Sequence, residues 1–80
     1  MSEYKGPQGT AKPSVGRIVH YVYKEEKHPP ETWPAIIIGV HPDGMANIFI
    51  FSYKGAYPIP AVAQAIEPTP GCWNWPPRIP

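Results

Sequence analysis

The sequence holds one cysteine, Cys72, so no disulfide can form within the chain, and a reducing compartment suits it. Charge is scarce too: Asp, Glu, Lys and Arg make up 16% of the 80 residues, and the net charge is +1. The lysines are scattered from Lys5 to Lys54, without the basic stripe of a dedicated DNA- or RNA-binding surface. No apolar run approaches the roughly 20 residues that cross a bilayer, and the opening MSEYKGPQG lacks the apolar stretch of a secretory signal. These absences lead us to expect a cytoplasmic protein with no membrane partner.

Metal ligands are equally sparse. His20, His28, His41 and Cys72 are the only soft ones, and no two share the short spacing of a zinc site. We expect neither a metal nor a cofactor. Catalytic groups are no better placed. Glu25 and Glu26 fall in a polar loop, and Asp43 is a turn residue suited to bonding its own backbone. Ser52 with His41, or Cys72 with His20, could meet only through the fold, and no spacing favours either pair. Gly6, Gly9 and Gly16 do not stand between a strand and a helix, as a phosphate-cradling loop requires. The expectation is a protein that is not an enzyme.

Proline and glycine are abundant, 13 and 7 residues, a quarter of the chain. Proline removes a donor and clashes with the preceding turn, so long helices are excluded. Residues 1–14, punctuated by Pro7, Gly9 and Pro13, read as an extended arm. Arg17 to Tyr23 (RIVHYVY) is β-branched and aromatic, and forms the first strand with both faces largely apolar. Lys24 to Pro34 reads as a polar, proline-broken loop ending in Trp33. Ala35 to His41 and Ala46 to Ser52 form a hairpin around Pro42-Asp43-Gly44, with Gly39 a bulge or close approach. Tyr53 to Pro60 reads as a loop, because Gly55, Pro58 and Pro60 oppose a ladder. Val62 to Ile66 reads as a short strand, with one helical turn as the alternative. Cys72 to Trp75 is a last strand, stopped by Pro76-Pro77. The pattern predicts an all-β protein, a small SH3-like barrel of four to five short strands over residues 15–76, with extended proline-rich termini at 1–14 and 77–80.

Aromatic residues are many for this length. Trp33, Tyr53 and Tyr57 fall in or beside expected loops, where packing alone does not demand them. Trp73 and Trp75, two apart on one strand, share a face and read as a flat surface on which a base, a sugar or a proline-rich strand could stack. Arg17 and Arg78 flank the first and last strands and offer forked contacts to a phosphate or carboxylate. With His20 and Tyr21 of the first strand, the candidate ligand-binding set is Arg17, His20, Tyr21, Trp33, Tyr53, Tyr57, Trp73, Trp75 and Arg78. Core packing accounts for the same tryptophans, and solvated arginines for the rest, about as well. On the ligand reading, Trp73→Ala or Arg17→Ala abolishes binding and leaves the fold intact.

Three ordered motifs carry a resemblance. Pro13 to Val22 (PSVGRIVHYV), Trp33 to Ile37 (WPAII) and Cys72 to Arg78 (CWNWPPR) are similar to a group of short bacteriophage and prophage proteins with a GRIVHYV…PAIIV…WHWP skeleton. The likeness covers roughly residues 13 to 78. It departs at Asn74, where the skeleton has histidine between the tryptophans, and in a shortened loop after the third strand. The departure puts any ligand contact through that histidine in doubt. The resemblance implies a phage origin and brings no activity with it.

Two functions remain in view. One is a homo-oligomeric trap that sequesters a small nucleotide-type immune signal in the cytoplasm of the infected host, countering its antiviral defence. The other is a virion or assembly accessory, at the capsid or head–tail junction, whose proline-rich arms lie along neighbouring chains.

Overall fold

The computed structural model describes residues 12–77. It is all-β: β1 (Ile18–Tyr23), β2 (Glu31–Val40), β3 (Ala46–Ser52), β4 (Gly55–Val62) and β5 (Trp73–Asn74), with no helix among the described residues. The strands form one antiparallel sheet in the order β4-β3-β2-β1-β5. Arm residues 1–11 and tail residues 78–80, Arg78 included, lie outside the described residues.

Alternation sets the two faces of this sheet. Val19 stands opposite Ala35, Tyr21 opposite both Trp33 and Trp73, and Ile37 opposite Ile48. These positions point one way and meet in the core, where Val19, Ala35, Ile37, Ala46, Ile48, Ile50 and Trp73 are wholly shielded from solvent. A sheet without helices must shield such a face with itself. The chain beyond β4 provides the means. Ala65 N–H donates to Trp73 O at 2.8 Å and Trp73 N–H donates to Ala63 O at 3.0 Å, a parallel bridge centred on Gln64. The continuation of β4, at one end of the strand order, is thereby bonded to β5 at the other.

Four expectations need correction. The segment Tyr53 to Pro60 is mostly strand: β4 begins at Gly55 and pairs with β3 through Ser52↔Gly55, Ile50↔Tyr57 and Phe49↔Pro58. Pro58 and Pro60 are two apart, so both missing N–H groups fall on the side away from β3, which an edge strand tolerates. Ser52 closes the two-residue turn, its Oγ donating to Gly55 O and accepting from Lys54 N–H. Second, Trp33 is not in a loop. β2 starts at Glu31, and Pro34 is accommodated because the pairing with β3 begins only at Ala35↔Ile50. Third, Val62 ends β4, and the chain after it makes a single bridge, neither strand nor helical turn. Fourth, the last strand is only Trp73–Asn74, with Cys72 O already accepting from Val22 N–H.

The Pro42-Asp43-Gly44 turn forms as the residue types require. Gly44 takes a positive φ of 94°, and Met45 N–H donates to Asp43 Oδ1. Asn47 has a role that residue type alone does not announce. Register shifts fall on both sides of it, between Ile37 and Gly39 in β2 and opposite Ala46–Ile48 in β4. The bulge in β4 leaves Ala61 at φ 52° with its N–H off the ladder, and Asn47 Oδ1 accepts it at 2.8 Å. The same oxygen lies 2.8 Å from His41 Nε2, which fixes that nitrogen as the donor. A Cβ at Gly39 would stand 3.1 Å from Asn47 Nδ2, so the bare backbone there makes room for this side chain.

Asn47→Ala removes the acceptor of the exposed Ala61 N–H and is expected to lower stability by about 0.5–1.5 kcal/mol, read from denaturant unfolding. Asn47→Asp, which keeps the acceptor oxygen, should recover part of the loss at neutral pH.

Candidate functional site

Side chains gather at both ends of the inner face. β1 runs from one end to the other, with Arg17 just before it and Tyr23 at its close. At the Arg17 end, the backbone is pinned by Gly16 N–H to Ile37 O at 2.7 Å and by Ile37 N–H to Arg17 O at 2.9 Å. Gly16 has φ 95°, the left-handed geometry that allows two residues to face one across the pair. The Arg17 guanidinium then lies over the Trp75 ring, 5.2 Å from its centroid. Trp75 in turn meets Trp73 edge-to-face, with ring centroids 5.3 Å apart and planes at 87°.

That geometry corrects the flat stacking surface expected of the two tryptophans. Trp73 is a core residue with no exposed area, and only half-buried Trp75 reaches the surface. Trp73→Ala therefore tests the core. It is expected to cost about 3–5 kcal/mol and to abolish the cooperative thermal transition, so loss of binding in that variant carries no information about a ligand.

The other end is polar. Tyr23 stacks on Trp33, centroids 4.2 Å apart and planes 14° from parallel. Tyr23 Oη donates to Glu25 Oε1 at 2.6 Å, and Lys54 Nζ reaches the same oxygen at 3.3 Å. Trp33 Nε1 donates to Glu31 Oε1 at 3.2 Å. Lys24 Nζ donates to the carbonyls of Glu25 and His28 within its own loop. The β1–β2 loop is thus clasped to the β3–β4 turn through Glu25.

The electrostatics follow from that clasp. The Tyr23 hydroxyl, and then Lys54, hold the Glu25 carboxyl below its usual 4.5. The bond to Glu25 pushes the Tyr23 hydroxyl above 10.0 and, with the carboxylate charge, raises the Lys54 ammonium above 10.5. Tyr21 is also raised, mainly by burial, with Tyr57 and Cys72 close enough to add to it.

The eight expected ligand residues within the described chain do not converge on one site. Arg17, Trp73 and Trp75 form one stack, and Tyr21 joins Trp33 with centroids 6.5 Å apart. Trp33 is 5% exposed and belongs to the core. Tyr57 sits on β4, and Tyr53 stands at the hairpin tip, 78% exposed, with Lys54 Nζ 5.6 Å from its ring centroid. His20 faces the other way, opposite Pro34 and Asn74. Arg78 lies outside the described residues. Ser52 and His41 each bond elsewhere, to the turn backbone and to Asn47. Among the described residues, no three His, Cys, Asp or Glu side chains gather as metal ligands.

Residue type did not single out Tyr23, Glu25 and Lys54 as a group. Twenty-nine positions separate Glu25 from Lys54, and only the β1–β2 and β3–β4 registers bring them together. No family model, curated protein or solved structure matches this chain.

The clasp predicts a pH response. Because the folded state lowers the Glu25 pKa, its contribution is present above the unfolded value and fades as pH falls through the folded one. Carboxyl NMR should place Glu25 below 4.5 in the wild type and nearer to it in Tyr23→Phe.

Proposed function

We propose that this chain is a phage-encoded, non-enzymatic binding protein that acts as a homo-oligomeric trap for a small nucleotide-type signal in the infected host's cytoplasm. In this reading the sheet closes as a small SH3-like barrel. The backbone bonds joining Ala63 and Ala65 to Trp73 support that closure. The likeness of residues 13–78 to short phage proteins supports the origin.

The ligand reading is carried by one observation. The Arg17 guanidinium lies over Trp75 and makes no ion pair or hydrogen bond to any described residue. An aromatic ring beneath a guanidinium restrains its plane and leaves its N–H donors directed sideways, the geometry that accepts a phosphate in a forked contact. Backbone bonds on both sides of Arg17 hold the mount in place before any ligand arrives, which lowers the ordering cost of binding. Sequestration needs no chemical step, so it asks for nothing more than such a contact and a shape that fits the rest of the ligand.

The competing assembly reading rests on the arms at 1–14 and 76–80. Most of those residues lie outside the described ones, and nothing among residues 12–77 favours it over the trap.

Isothermal titration with linear and cyclic nucleotides, with inorganic phosphate as reference, tests the reading. At least one nucleotide should bind in the micromolar range or tighter. Arg17→Ala should weaken it at least tenfold, the scale of one lost charged hydrogen bond, with the thermal transition unchanged. Equal affinity in the variant, or no nucleotide bound, rejects it.

A further inference from the structure

The outer face of the sheet also carries a large apolar area. Ile18 lies opposite Ile36, Ile36 opposite Phe49, and Phe49 opposite Pro58, a single row across four strands. Beside it stand Pro34 and Phe51, with His20 opposite Pro34 at the end of that row, and Phe51 meets Phe49 with ring centroids 5.5 Å apart. Ile18 is 63% exposed and Phe51 41%, and Ile38, next along β2, is 48% exposed. No Asp, Glu, Lys or Arg occupies either row. Small soluble proteins rarely leave more than roughly 300–600 Å² of contiguous apolar surface open.

We infer that this face is covered by the same face of a second copy of the chain, so that the two sheets stack across a two-fold axis. The inference deepens the homo-oligomer part of the function proposed above and is independent of the nucleotide.

The chain itself argues for that occupant. Strand addition is closed off, because Pro58 and Pro60 remove donors from the free edge of β4. A polyanion finds no counter-charge on this face. A second copy, by contrast, brings an equally neutral surface. The charged Glu25–Lys54 clasp lies at the loop end and not in the rows, so stacking sets no like charges against each other there. Rows of isoleucine, phenylalanine and proline on a pleated surface suit face-to-face packing of two sheets about 10 Å apart. Such an interface takes about 800 Å² from each partner at standard size, so the rows would form its centre and Ile38 would extend it.

Sedimentation velocity of the full chain from micromolar to millimolar concentration tests this directly. The wild type should sediment as a dimer or an even multiple of it. Ile18→Glu and Phe51→Glu, each made singly, should weaken association at least tenfold while near-ultraviolet dichroism and the thermal transition stay as in the wild type. Both positions are solvent-exposed in the single chain, so neither change opens its core. A wild type that stays monomeric throughout overturns the inference, as does association left unchanged by both variants. So does a monomeric wild type that floats with phosphatidylcholine vesicles, which would assign the face to lipid. Nucleotide affinity is read separately through Arg17, so failure of one idea does not carry the other with it.

Discussion

Everything in this fold hangs on the backbone bonds that Trp73 makes to Ala63 and Ala65. The sheet has one strongly apolar face, and the described chain offers no helix to lay against it. Burial is the dominant favourable contribution to folding, yet a small domain gains it only if the face meets other apolar surface. Joining the continuation of β4 to β5 brings the two ends of the strand order together. Trp73, the largest wholly buried side chain, sits where those bonds are made.

Asn47 makes the required curvature tolerable. Each bulge beside it bends its strand and strips the ladder of a regular partner. The bulge takes the exposed Ala61 N–H off the ladder, and the Asn47 side chain supplies the acceptor that the strand no longer does. Glycine at 39 keeps the adjacent space open for it. The prolines of β4 act in the opposite sense: they do not shape the curve, but they deny its free edge to another chain.

The surfaces left over differ in chemistry. One end of the inner face carries a guanidinium mounted on an indole, suited to a small anion. The other end is a self-satisfied clasp of tyrosine, carboxylate and ammonium, whose charges already answer one another. The outer face has a continuous row of aliphatic and aromatic side chains, with His20 beside it. A binding protein that is also an oligomer would use the first and the third, and the second would keep a long loop from straying.

By itself the sequence determined the class of this protein. Proline density excluded long helices, the alternation in IVHYVY and ANIFIFS marked two strands, and Pro42-Asp43-Gly44 fixed the hairpin between β2 and β3. Those features are legible because they act over a few neighbouring residues. The proline-bearing strand β4 was not, since whether a missing donor matters depends on which side of the strand has a neighbour. Nor was the fate of the tryptophans: Trp33 and Trp73 entered the core and Trp75 did not, although all three look alike in sequence. Arg17 over Trp75, Glu25 beside Lys54 and Asn47 beneath Ala61 were decided only by tertiary structure. Each pair lies 14 or more positions apart, and strand register alone sets which side chains share a face and meet.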